Sequence, residues 1–135
     1  MDPKGWGPSA WIFLHSITLN YPEYPSAEDK KNIHGFFSNL GNILPCNSCK
    51  WNYKSHLEKY PLNNSVLNSK QNLVKWLIDI HNSVNIMNNK PTYSHDDAIK
   101  EIMSNYDKKT NLKIYFMYIG LIIFLIFCLL LISKI

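Results

Sequence analysis

Apolar side chains recur at spacings of three and four along most of the chain, the period of helices with one buried face. Trp11, Leu14, His15 and Thr18 trace one such face behind Pro8, a residue suited to a first helical turn. Pro22 and Pro25 end it, because the residue before a proline avoids helical backbone. Ser26 followed by Asp29 is an N-cap signal for a second helix, with Ile33, Phe36, Phe37, Leu40 and Ile43 as its stripe. Pro45 breaks that stripe, and a third helix is expected from Cys46 through Tyr53 and Leu57 to Tyr60, stopped by Pro61. Leu62 to Ser65 reads as loop. Ser69 caps a fourth helix carrying Leu73, Trp76, Leu77, Ile80, Val84 and Met87, and Asn88 to Pro91 ends it. Ser94 with Asp97 opens a short fifth helix with Ala98, Ile99 and Ile102 inward. The expected fold is all-α, a four-helix bundle with a short fifth helix over residues 1–107.

At Ile114 the pattern changes. From there to Ile132 the chain has 19 residues without a charge and with one glycine, Gly120. At about 1.5 Å per residue this is roughly 28 Å of helix, close to the thickness of a bilayer core of about 30 Å. Residues 114–133 therefore read as a C-terminal transmembrane anchor in contact with membrane lipid, and 108–113 as a linker. A core helix apolar on all sides would need a larger protein around it. Lys108, Lys109 and Lys113 precede the anchor and only Lys134 follows, an asymmetry that favours residues 1–107 on the cytoplasmic side. The N-terminal residues lack the features of a secretory signal. In its 135 residues the chain is 46% hydrophobic and 18% charged with a net charge of +4, which argues for one folded domain. Short lysine pairs such as Lys30–Lys31 are not the concentrated basic face of a nucleic-acid binder, so no nucleic acid is expected.

Of the three cysteines, Cys128 lies in the anchor, where a thiol is a small apolar group. That leaves Cys46-Asn47-Ser48-Cys49 behind Pro45, a single pair and no secreted disulfide scaffold. Two cysteines three apart at a helix start can form a disulfide, and the positive end of the helix lowers the pKa of a thiol there. The pair can also be half of a zinc site, which would have to recruit His56 or His81; no second CxxC is present, and no metal is expected. Trp11 and His15, four apart, share a helix face, as do His81 and Asn85. Polar and aromatic residues on apolar helices can line a cofactor cleft, or be core residues with satisfied hydrogen bonds.

Taken in order, W-x-x-L-H from Trp11, then Y-P, P-C-x-x-C from Pro45, H-N-x-V-N from His81 and K-P-x-Y from Lys90 resemble the Erv/ALR family of FAD-linked sulfhydryl oxidases, across about residues 5–105. The resemblance implies a thiol oxidase that forms protein disulfides. Electrons would pass from a protein dithiol, or a thioredoxin-like CxxC carrier, to the Cys46–Cys49 disulfide, to FAD and to oxygen, giving hydrogen peroxide. Cys49 would be the flavin-proximal thiol and Cys46 the interchange thiol. Gly7, Trp11, His15, Tyr53, His81, Asn82, Val84, Asn85, Lys90 and Tyr93 would contact the cofactor. A homodimer on the first two helices is also implied, burying surface around Phe36, Phe37 and Leu40.

Two departures stand out. Many relatives have a shuttle cysteine pair on a flexible terminus, and a structural disulfide whose positions here fall at Ile78 and His95. Versions without them, carrying a membrane segment, resemble the short oxidases of large DNA viruses, with a virion or host membrane as the expected location. The alternatives are a tail-anchored adaptor or a zinc-binding interaction module without redox activity.

Overall fold

The computed structural model describes the backbone of residues 1–132 and the side chains of residues 1–104, 106 and 114–126. Among the described residues every regular element is a helix: α1 (Pro3–Leu19), α2 (Ala27–Ile43), α3 (Asn47–Lys59), α4 (Asn64–Leu67), α5 (Lys70–Met87) and α6 (His95–Ile132). Met1–Ala98 forms one compact unit, and a second begins at Ile99.

Caps set most of the boundaries. Asp2 accepts from the Lys4 N–H and Pro3 occupies the first turn, so α1 begins five residues before Pro8, which lies inside the helix. Ser26 and Asp29 form a reciprocal capping box at α2. Asn63 caps α4, a single turn where the sequence reads as loop: its side chain accepts from the Val66 N–H. Ser69 caps α5 and Ser94 accepts from the Asp97 N–H at the start of α6.

The first unit packs α1 and α4 against α5, and α3 against α2. Phe37, Leu73, Leu77 and Ile80 are fully buried, and Trp76 meets Phe37 edge to face at 5.1 Å. Trp76 Nε1 donates to the Tyr60 carbonyl and the Tyr21 hydroxyl to the Leu67 carbonyl, tying the non-helical connections to the core. Gly41 lets α2 approach α3 closely, since a Cβ there would lie 2.9 Å from the Tyr53 ring. Phe37 and Leu40 belong to this core, which corrects their expected place at a dimer interface.

The fifth helix is not short. Its backbone continues through residues 108–113, read from sequence as linker, to Ile132. Lysine, threonine and asparagine there permit helix, and no proline or glycine stops it. Among the described residues no helix is long and apolar enough to cross a membrane. The described apolar side chains there end at Ile126, so the rest of the expected anchor, Cys128 included, lies outside the described side chains.

Candidate functional site

Pro45 keeps Cys46 out of α2, and Cys46 becomes the N-cap of α3 with extended backbone. From that position its side chain turns back over the first turn and joins Cys49 in a disulfide, with the two Cα atoms 5.1 Å apart. The Cys46 sulfur accepts from the Cys49 N–H at 3.3 Å and lies 3.1 Å from the Ser48 hydroxyl. A sulfur at a helix N-cap, held by a backbone N–H, is suited to serve as a leaving group in thiol–disulfide exchange. Both cysteines are partly exposed.

A second cluster forms where α1 meets α5. His15 Nε2 and His81 Nδ1 are 3.1 Å apart, so one ring donates and the other accepts. Burial drives both imidazoles down to about 4, and at His81 the charges of His15 and Lys90 add to the effect. The pair is therefore neutral at ordinary pH. Trp11 lies flat on His81, ring centroids 3.9 Å apart and planes 8° from parallel. His15 Nδ1 is buried with no hydrogen-bond partner.

The motif after His81 divides by role. Asn82 clamps the loop before α6: its Oδ1 accepts from the Tyr93 N–H and its Nδ2 donates to the Tyr93 carbonyl. Asn85 accepts the Lys90 N–H at its backbone carbonyl, and Asn89 takes a left-handed φ of 53° to make that turn. Val84 and Asn85 are half-buried, whereas Lys90 and Tyr93 are exposed. Gly7 has open space where a Cβ would sit. Tyr53 is a core residue whose hydroxyl donates to the Phe37 carbonyl; burial raises its pKa.

His56, raised from the sequence only as a possible zinc ligand, packs from α3 against Ser83 of α5. It is buried, its Nδ1 is 3.1 Å from the Ser83 hydroxyl, and its Nε2 has no partner. Burial, then the Lys59 charge, lowers its pKa. Its spacing of seven from Cys49, two helical turns on one face, was the available signal. His56 and His81 are thus engaged with Ser83 and His15. Among the described residues no three His, Cys, Asp or Glu side chains gather where a metal ion could be held.

A disulfide built into the first turn of a bundle helix suits an all-helical dithiol oxidoreductase. More particularly, the chain belongs to the Erv1 / Alr family, whose sequence pattern matches residues 8–107. It is 46% identical over 102 residues to a probable FAD-linked sulfhydryl oxidase of Acanthamoeba polyphaga mimivirus, covering 76% of this chain and 71% of that protein. To a putative FAD-linked sulfhydryl oxidase of Invertebrate iridescent virus 6 it is 33% identical, covering 75% of this chain and 95% of the relative. It is 28% identical to the FAD-linked sulfhydryl oxidase ERV2 of Saccharomyces cerevisiae, covering 77% of this chain but 50% of that one. The FAD binding domain of Erv1 from Saccharomyces cerevisiae matches with a TM-score of 0.65 and 29% identity, covering 71% of this chain and 89% of that domain.

The residues present suit such a cofactor. His15 Nδ1, His56 Nε2 and Trp6 Nε1 are buried without partners. Leaving a buried polar atom unsatisfied costs about 1–3 kcal/mol, so a heteroaromatic ligand with ring and hydroxyl hydrogen-bonding groups relieves a cost already present.

Proposed function

We propose that this protein is an FAD-dependent thiol oxidase that introduces disulfides into protein substrates. The observation that carries the reading is the Cys46–Cys49 disulfide at the N-cap of α3, its sulfur held by a backbone N–H. A substrate thiolate attacks the Cys46 sulfur, forming a mixed disulfide and releasing Cys49 as a thiolate stabilised at the helix N-terminus. The second substrate thiol attacks the substrate sulfur of that mixed disulfide. The substrate leaves as a disulfide, and Cys46 and Cys49 hold the two electrons as a dithiol. Bound FAD supplies the two-electron acceptor that reoxidises the pair and hands the electrons to oxygen, giving hydrogen peroxide.

Trp11, His15, His81 and His56 would hold the cofactor from α1, α5 and α3, with Gly7, Val84, Asn85, Lys90 and Tyr93 at its edges. The neutral imidazoles act as donors and acceptors and bring no charge to the flavin. Asn82 acts one step back, by fixing the loop that carries Lys90 and Tyr93. The test is to purify the full chain in detergent. Flavin absorbance that bleaches with dithiothreitol under nitrogen and returns with air, with peroxide formed, is the expected result; a folded protein colourless after incubation with FAD defeats the reading.

The same reading includes a membrane anchor over residues 114–133 and a catalytic domain facing the cytoplasm, on a virion or host membrane. Its support is the uncharged run and the exposure of most described side chains from Ile114 to Ile126. Release of the chain from membranes by alkaline carbonate overturns it. A homodimer on α1 and α2 is supported by Phe13 of α1, which is 58% exposed and packs edge to face on Phe36 of α2. Sedimentation as a monomer across micromolar concentrations removes that element alone.

A further inference from the structure

We infer that the end of α2 and the first two turns of α3 form a docking cleft for an acidic, cysteine-bearing segment of a protein substrate. The inference rests on the oxidase reading and adds to it the chemistry of the substrate. Gly41, Asn42, Asn47, Lys50, Trp51 and Lys54 line an open cleft of about 350 Å³. Asn47 follows Cys46 in the chain and Lys50 follows Cys49, so the cleft begins one residue from each reactive sulfur.

Three features of this surface ask for an occupant. Trp51 is 75% exposed although it is among the largest apolar side chains of the chain. Tryptophan in such a position is over-represented among residues that carry binding energy. Lys50 and Lys54 are four apart on one helix, a like-charge pair that is mildly unfavourable by itself. Neither is seen in an ion pair among the described residues, unlike Lys70, which pairs with Glu23 at 3.1 Å. No carboxylate lines the cleft, and the positive end of α3 adds to the lysines. Lys54 Nζ lies 5.8 Å from the Trp51 ring centroid, so the cation and the indole present one mixed surface.

The complementary ligand is an extended peptide with a carboxylate and an apolar side chain close to its cysteine. Asn47 to Lys54 spans about 11 Å of helix, the reach of three or four extended residues. The acidic and apolar residues therefore fall within about four positions of the substrate cysteine.

The test uses the full chain loaded with FAD and two synthetic Cys-x-x-Cys dithiol peptides that differ only in flanking Glu or flanking Lys. Each kcat/KM is divided by that for dithiothreitol on the same preparation. The Glu peptide is expected to be favoured roughly 2- to 30-fold at low salt, the range for two exposed ion pairs, and the preference to fade at 0.5 M salt. Lys50→Gln with Lys54→Gln should remove the preference, and Lys50→Glu with Lys54→Glu should invert it. Trp51→Ser should lower both peptides relative to dithiothreitol. Equal use of the two peptides by the unsubstituted protein, or a preference that survives both lysine pairs, overturns the inference. So does self-association of the chain that disappears in Trp51→Ser, because the occupant is then a second copy. If dithiothreitol itself is not oxidised, the oxidase reading fails; dithiothreitol turnover without peptide discrimination sinks only the docking cleft.

Discussion

Trp11 and Trp51 each lie against a nitrogenous side chain, in opposite surroundings. Trp11 is half-buried and stacks on His81 at 3.9 Å, inside a joint where burial has stripped the imidazoles of charge. Trp51 stands out in solvent under the Lys54 ammonium at 5.8 Å, beside a second lysine and a reactive disulfide. The α1–α5 joint offers neutral rings and unpartnered ring nitrogens, which suit a large heteroaromatic group that stays bound. The α3 surface offers fixed charge, water and an accessible sulfur, which suit a partner that comes and goes. On the proposed reading, one bundle separates holding from exchanging, and α3 contributes His56 to the one and Cys49 to the other.

The largest effect should come from the exchanging side. Cys49→Ser is expected to reduce dithiol turnover on the order of 1,000-fold or more, while flavin absorbance at equal protein stays unchanged. Loss of the colour as well would show that the two regions are not separable. On the holding side, His81→Ala removes the stacking partner of Trp11 and orphans His15 Nε2. FAD affinity should fall about 5- to 150-fold, the equivalent of about 1–3 kcal/mol for an unpaired buried donor or acceptor. Alkylation should still find the Cys46–Cys49 pair oxidised; a variant that keeps its flavin but loses the disulfide contradicts the division.

The third contrast is in pH. His15 and His81 are held near 4 against an ordinary 6.5, so between those values the unfolded chain binds protons that the folded chain excludes. Their contribution to stability is complete above pH 6.5 and is lost as pH falls toward 4, on the order of a few kcal/mol for the pair. The urea midpoint should drop between pH 7 and pH 4.5. His15→Phe with His81→Phe should flatten that slope; an unchanged slope would assign it to other groups.

Most of the fold was legible because its signals are local. Ser26, Ser69 and Ser94 cap the helices their sequences announce, and the stripes around Leu73 and Leu77 are buried as their period requires. The errors lie where local signals compete or distant contacts decide. Pro8 suggested a helix start, but Asp2 and Pro3 supply a better one. Lys108 to Lys113 look like linker because they are polar, yet polarity does not end a helix. Among the candidate site residues, the cysteine pair and the grouping of Trp11, His15 and His81 were signalled by spacing, and the structure brings each set together. That Tyr53 gives its hydroxyl to Phe37, or that His56 leaves Nε2 unpartnered, depends on which helices meet, and no spacing reports that.

The smallest effect should come from Asn82, and it tests how the holding side is supported. Its side chain makes two hydrogen bonds to the backbone of Tyr93, 11 residues away, at 3.1 and 2.8 Å. Both are exposed, so water can replace them, and their loss should cost about 0.5–1.5 kcal/mol each at most. In Asn82→Ala global stability should therefore change little. The loop between Asn88 and Ser94, which carries Lys90 and Tyr93, should instead open more often. Hydrogen exchange at the Tyr93 amide is the direct measure, expected to quicken several-fold, while amides of Leu73 to Ile80 in the buried part of α5 keep their rates. FAD should bind more weakly but with an unaltered spectrum, since the rings of Trp11, His15 and His81 keep their places. An altered flavin spectrum, with no change at the Tyr93 amide, would mean that Asn82 touches the cofactor itself, and would move it from the support of the joint into the joint.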